Sequence, residues 1–179
     1  MSSYIVEIAT TGTSGYPKDV VVQIGICRLS DDFSDYDTVY DATISVDPKD
    51  LGHDALDRID SMYGISPESL YLGDDINEVS KDVRTILSGG DCISFDKVTF
   101  ARFLCFEPWD LNHIVTFMPA ISLMIPDNRF ESDMPLSIHE VYSRLCPDDP
   151  ANIQFGKNAL DMAQMSSCIV IEMRKKGFY

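Results

Sequence analysis

Tyr4-Ile-Val-Glu-Ile-Ala-Thr-Thr-Gly12 and Val20-Val-Val-Gln-Ile-Gly-Ile-Cys-Arg-Leu29 are two apolar runs rich in β-branched residues, joined by a loop of Gly, Thr and Ser that carries Pro17. Runs of this length bounded by turn residues read as strands, so the pair predicts a β-hairpin or the opening of a meander. Working outward, a polar turn from Ser30 to Asp37 leads into Thr38–Val46. There Val39, Ala42, Ile44 and Val46 are interspersed with Thr, Asp and Ser until Pro48 stops the run. That alternation predicts a third strand, and three strands in succession place an antiparallel meander at one side of a sheet.

Helical spacing begins next. His53–Tyr63 carries Leu56, Ile59 and Met62 or Tyr63 at intervals that predict a short helix, with Gly64 placed for a left-handed C-cap. Ser66-Pro67 pairs an N-cap residue with a proline at the first helical position. From Asp74 to Leu87, an apolar stripe of Ile76, Val79, Val83, Ile86 and Leu87 predicts an amphipathic helix closed by Gly89-Gly90. Cys92–Phe95 reads as a buried parallel strand, followed by a helix over Asp96–Leu104. His113–Phe117 is a further strand, Pro119–Ile125 a short helix broken by Pro126–Asn128, and Met134–Leu145 a helix followed by a turn over Cys146–Pro150. The last and longest helix covers Lys157–Lys176, where Arg174-Lys175-Lys176 complements the helix dipole.

Several of these segments resemble the motifs of the DEDD-type 3′–5′ exonucleases, the proofreading and RNase T-like family. The first strand is similar to that family's apolar strand with D-x-E followed by T-T-G, and retains Thr10-Thr11-Gly12. Gln23-Ile24-Gly25 resembles the I-I-E-I-G-A strand, and Gly64-Ile-Ser resembles the G-I-T segment. Asp96–Leu104 resembles the H-N-x-x-F-D motif and its helix through Phe100 and Phe103-Leu104. Lys157-Asn-Ala-Leu-Asp-Met-Ala163 resembles H-N-A-L-D-D-A. The resemblance runs through the whole chain in order. It implies a single exonuclease-like domain over residues 1–179 with a ribonuclease H-like α/β fold: a mixed central sheet, antiparallel meander first and parallel strands after, flanked by helices.

The resemblance also implies a site, and the residues at its positions depart from the pattern. Enzymes of this family hydrolyse a phosphodiester with two divalent metals held by four carboxylates, while a histidine helps deprotonate water. At those positions this chain has Glu7, Ala9, Ala101 and Met162, with Lys157 in place of the histidine. Alanine and methionine offer no hard oxygen ligand, and a protonated lysine has no lone pair to give. Asp96 and Asp161 are the neighbouring acids considered as replacements, although one residue on a helix is a turn of about 100°, which faces Asp161 away from the Met162 position. Two arrangements are open for Lys157. In the first it pairs with Glu7, directly or through water, since an unpaired buried carboxylate is costly, with Ala9, Ala101 and Met162 closing the space with apolar atoms. In the second it points to solvent at the helix start or pairs only with Asp161. Thr11, Gly12 and Lys97 are the candidate contacts to a nucleic-acid end.

Composition narrows the remaining choices. The chain has 179 residues, a 45% hydrophobic share and a net charge of −15. This suits one globular domain whose long-range field repels polyanions. No run of about 18 apolar residues is present, so no membrane span is expected. The start, Met-Ser-Ser-Tyr, has no basic-then-apolar leader. The five cysteines include no C-x-x-C pair and are expected as reduced thiols of a cytoplasmic protein. His53, His113 and His139 lack metal-ligand spacing, and no phosphate-binding glycine loop occurs. Trp109 and the phenylalanines at 95, 100, 103 and 106 are expected in the core rather than as base-stacking platforms. The expected function is a non-catalytic relative of the exonucleases that binds or scaffolds, with a protein or a single-stranded nucleic-acid end as partner and no cofactor. The rival expectation is a working 3′–5′ exonuclease with relocated acids, which alone requires magnesium or manganese.

Overall fold

The computed structural model describes residues 2–125, 137–149 and 155–179. Five strands form one sheet in the order β3-β2-β1-β4-β5. β1 (Ser3–Thr10), β2 (Val21–Leu29) and β3 (Tyr36–Thr43) are the antiparallel meander. β4 (Asp91–Ile93) runs parallel to β1, and β5 (Thr116–Phe117) parallel to β4. The mixed sheet expected from the opening strands is therefore present, with β1 at its centre.

β1 is buried along almost its whole length because helices cover both faces, and its two faces serve different layers. Val6 and Ile8 pack with Val79 and Val83 of α3 (Ile76–Leu87) and with Phe100, Phe103 and Leu104 of α4 (Lys97–Leu104). On the opposite face Ile5 packs with Val141 and Tyr142 of α6 (Ile138–Leu145) and with Met165 and Ile169 of α7 (Ala159–Lys175). Ala9 lies with Ala159, Val22 and Ile59, the last from α1 (His53–Tyr63). The caps follow from the local sequence. Gly64 adopts φ 66° after α1, Ser66 caps α2 (Pro67–Tyr71), and Ser137 with Glu140 forms a capping box on α6.

Several boundaries differ from the sequence expectation, α3 and the helix over Ile121–Met124 by two residues at their starts and four elements for reasons visible in the local bonding. β3 begins two residues earlier and ends at Thr43, because after Ile44, whose N–H still reaches the Val22 carbonyl, the Ser45 and Val46 N–H groups turn to the Asp74 and Leu70 carbonyls. Gly73 permits this, since a Cβ there would lie 2.7 Å from the Ile44 backbone. β4 stops at Ile93 because the Phe95 N–H leaves the ladder for the Glu7 carboxyl, while the Ser94 and Phe95 carbonyls accept from the first turn of α5 (Ile121–Met124). Residues 111–113 form a 3-10 turn anchored by buried Leu111, so β5 retains only two residues. α7 starts at Ala159 rather than Lys157, because the Asn158 side chain accepts the Asp161 N–H as N-cap. The expected break at Pro126–Asn128, the helix start at Met134-Pro135 and the end of the turn at Pro150 lie outside the described residues.

α7 can lie on the sheet only because β2 carries a glycine at the crossing. A Cβ at Gly25 would sit 2.5 Å from the Leu160 backbone. Beside it Gln23 Oε1 accepts the Ala159 N–H at 2.9 Å, satisfying a helix-start donor that burial would otherwise orphan. Gly25→Ala is expected to lower the free energy of unfolding by about 2 kcal/mol or more through forced separation of helix and sheet. Gly52→Ala, where nothing lies within 4 Å of the added methyl, should change it by about 1 kcal/mol at most. Urea unfolding followed by circular dichroism measures both.

Candidate functional site

Glu7 lies at the middle of β1, opposite Gly25, and points into the layer between sheet and α7. Its Oε1 accepts two hydrogen bonds, from the Phe95 N–H at 2.7 Å and from the Ser166 hydroxyl at 2.8 Å. Ser166 is fully buried on α7. The carboxyl thus joins three elements: the central strand, the β4–α4 junction and the last helix. Burial pushes its pKa up to about 8, against the lowering effect of those two hydrogen bonds, and the nearby Asp96 carboxylate raises it further. At neutral pH the group is mainly the neutral acid, with one oxygen accepting and a proton to hold on the other.

Of the other positions picked out by the sequence, Ala9 follows Glu7 on the same face of β1 and Met162 lies one turn before Ser166 on α7, whereas Ala101 and Lys157 are placed elsewhere. Ala9 and Met162 meet each other in the apolar cluster with Val22, Ile59 and Ala159. Ala101 lines an outer groove with Lys97, Val98 and Arg102. The small cleft beside Glu7, of about 100 Å³, is lined instead by Asp96, Thr99, Phe100 and Ile138. Lys157 is exposed and donates to the Ser61 carbonyl at 3.3 Å. The first arrangement, the Glu7–Lys157 pair, is therefore corrected. The Asn158 cap leaves Lys157 ahead of the helix, directed at α1, and a backbone N–H with a serine hydroxyl fills its place at Glu7.

The two replacement acids also diverge. Asp96 caps α4, with Oδ1 accepting the Val98 N–H at 2.9 Å and Oδ2 the Thr99 hydroxyl at 2.6 Å. Asp161 faces away from Met162, as the helical turn requires. Burial raises its pKa while the backbone at Gly156 and Asn158 and the nearby His139 act the other way. Burial, and then the Asp161 charge, raise Asp41 on β3. Among the described residues no group of three or more His, Cys, Asp or Glu side chains is arranged to hold a metal ion. The donors that are present fit a divalent pair poorly. One mostly neutral carboxyl is committed to two donors, and its neighbours are methyl and thioether groups.

The remaining candidates have structural roles of their own. Thr11 closes the β1–β2 loop, with its N–H on the Val20 carbonyl and its hydroxyl accepting the Val20 N–H, both at 3.0 Å. Gly12 admits the Asp19 carboxylate, which a Cβ would meet at 2.3 Å. Lys97 lies 5.9 Å from the centre of the Phe117 ring. Phe95, Phe100, Phe103 and Trp109 are buried as expected, whereas Phe106 is half exposed and stacks on Tyr16 at 6.0 Å. All five cysteines are free thiols, and no helix among the described residues is long and apolar enough to cross a membrane. Sequence reasoning missed Ser166. Its signal was a hydroxyl residue at a core-facing position of α7, in step with Ala159 and Ala163.

No family model matches the sequence, and neither does any curated protein. Solved structures match over nearly the full chain. A 3′-exonuclease studied for 3′-end-specific recognition of a histone mRNA stem-loop superposes with a TM-score of 0.67 at 13% identity, covering 98% of this chain and 82% of that one. Exonuclease I of E. coli, in a zinc-bound complex with single-stranded DNA, gives 0.68 at 10% identity over 98% of this chain and 41% of that one. Exonuclease I from Methylocaldum szegediense gives 0.62 at 15% identity, covering 98% and 40%. The chain thus spans about two-fifths of the exonuclease I chains, and what it shares with all three is the ribonuclease H-like exonuclease fold.

The Glu7 environment predicts a pH effect on stability. The folded protein keeps a proton that the unfolded chain releases near the ordinary carboxyl value of 4.5, so this contribution is complete below pH 4.5, declines as pH rises to about 8, and is flat above that. Glu7→Gln keeps an acceptor oxygen without a titrating proton. The variant should match the wild type near pH 4.5 and exceed it at pH 8.5 by a few kcal/mol, at about 1.4 kcal/mol per pKa unit. Chemical denaturation of both proteins between pH 4.5 and 8.5 measures the difference.

Proposed function

We propose, from a shared exonuclease fold as premise, that this chain is a single exonuclease-like domain that does not cut phosphodiesters and acts by binding. The observation that supports this reading is the state of Glu7. A metal-dependent nuclease needs ionised oxygens converging on one point to hold cations and, through them, the attacking and leaving oxygens. Here the carboxyl at the centre of the sheet is enclosed and used as a hydrogen-bond acceptor for the Phe95 N–H and the Ser166 hydroxyl. Ala9 and Met162 are core residues around α7, and Lys157 is engaged with α1. Among the described residues no group of three or more His, Cys, Asp or Glu side chains is placed to hold a cation, which supports the reading.

The second reading, a working exonuclease with relocated acids, draws on Asp96, which lines the same cleft as Glu7. Against it, both Asp96 oxygens are occupied at the start of α4, and Asp161 belongs with Asp41 and His139.

The deciding experiment is digestion of single-stranded DNA and RNA oligonucleotides with millimolar magnesium or manganese. No mononucleotide release above that of a Glu7→Gln control is expected. Manganese should likewise produce no saturable rise in melting temperature, although a ligand at a hundred times its Kd would add about 2.7 kcal/mol. Metal-dependent release that Glu7→Gln or Asp96→Asn abolishes would establish the second reading instead.

A further inference from the structure

The β1–β2 loop and α4 enclose a surface groove of about 550 Å³ that the folding core does not fill. Its apolar walls are solvent-facing: Tyr16 is 48% exposed, Phe106 47%, Val98 57% and Leu123 76%. The two rings stack with an interplanar angle of 27°, so they form a preset wall and lose little freedom on binding. Four large apolar groups gathered on one exposed face are the mark of an interaction site rather than of scattered surface hydrophobes.

Charge tells which occupant fits. The chain carries 29 Asp and Glu against 14 Lys and Arg, yet among the described residues the groove is lined by Lys97 and Arg102 and by no acid. Both cations are held in place. Arg102 Nη1 donates to the Thr13 carbonyl at 3.1 Å, and Lys97 sits against the Phe117 ring. The larger groove along α3, about 720 Å³, mixes Lys81 and Arg84 with Glu107 and Asp110 and has no such local sign.

We propose that the groove between the β1–β2 loop and α4 docks a short segment of a partner protein that presents an aromatic or leucine anchor flanked by acidic residues. The anchor enters against Tyr16, Val98, Phe106 and Leu123, and the flanking carboxylates meet Lys97 and Arg102. A peptide is favoured over a nucleic-acid strand because affinity for a strand grows with the number of phosphates neutralised. Two cations in a chain of net charge −15 supply little of that. Burial of an apolar anchor supplies binding energy without it, and the cations then set preference and orientation. At physiological salt the Debye length is about 8 Å, so a segment with a few acids senses the local cations more than the distant excess of acids. This assignment gives the partner class for the binding role proposed above and rests on that reading.

The test begins with a phage-displayed random peptide library selected on the intact chain. The enriched sequences should share Phe, Trp or Leu with Asp or Glu within a few residues. A fluorescein-labelled winner is then titrated by anisotropy. Val98→Asp and Leu123→Asp, both at exposed positions that do not disturb the core, should each weaken binding at least about tenfold. Lys97→Glu should weaken the acidic peptide and favour one whose acids are replaced by lysine. Lys81→Glu on α3 should leave affinity unchanged. Circular dichroism melting confirms that each variant folds.

Absence of a shared motif, or equal binding by Val98→Asp and Leu123→Asp, would overturn the proposal. So would displacement of the peptide by a dT12 oligonucleotide that binds the groove itself, or a dimer in sedimentation that Val98→Asp dissolves, since the occupant would then be a strand or a second copy. Nucleotide release in the nuclease assay fails the non-catalytic reading by a separate readout, so the two failures are distinguishable.

Discussion

The backbone-to-backbone approach of α7 to β2 at Gly25 is the constraint on which the rest of the molecule is built. Any side chain there would stand within the helix backbone, and the close approach places the start of α7 over the central strand. From that one contact follow the Gln23–Ala159 hydrogen bond, the meeting of Ala9 with Met162, and the arrival of the Ser166 hydroxyl at Glu7 one helical turn further on. The chemistry at the centre of the sheet is therefore set by helix placement as much as by strand sequence.

Glu7 shows what happens to a carboxyl in such a place. Buried in the layer between sheet and α7, it has its pKa raised by desolvation, and it accepts from two donors that would otherwise be orphaned. A carboxyl of this kind works as a crosslink. It binds β1, the end of β4 and α7 together, and the shortness of β4 is the local consequence, because the Phe95 N–H is spent on the carboxyl.

The long elements were legible in the sequence because their periodicities are strong. The opening hairpin, the amphipathic α3 and the final helix all stand close to where residue spacing puts them. What was not legible depends on hydrogen bonds between segments distant in sequence. Motif position alone left a place beside Glu7 open to Lys157, but the Asn158 cap starts the helix after it and turns its ammonium to Ser61. Ser166 could only be recognised once α7 was known to cross β1. Phe106 read like the three buried phenylalanines before it. It emerges from the core because α4 ends at Leu104. The resemblance of motifs to the exonucleases conveyed the fold well, whereas the positions named for chemistry are distributed among a core cluster, an outer groove and a solvated helix start.

β3 lies at the outer end of the sheet and is the longest strand with a partner on only one side among the described residues. The outward-facing N–H and C=O groups on alternate residues of this eight-residue strand are a template on which another chain can add a strand. Asp37 and Asp41 lie exposed along it, and the register shift between Ile26 and Cys27 on the adjoining strand adds local twist. Arg28 on β2 pairs with Asp37 at 3.1 Å, so in two copies meeting edge to edge it is chiefly the Asp41 carboxylates that would repel. The same excess of acid that defines the composition thus guards the sheet against fibrous self-assembly, and it leaves the few places free of acid as the surfaces where contact is permitted.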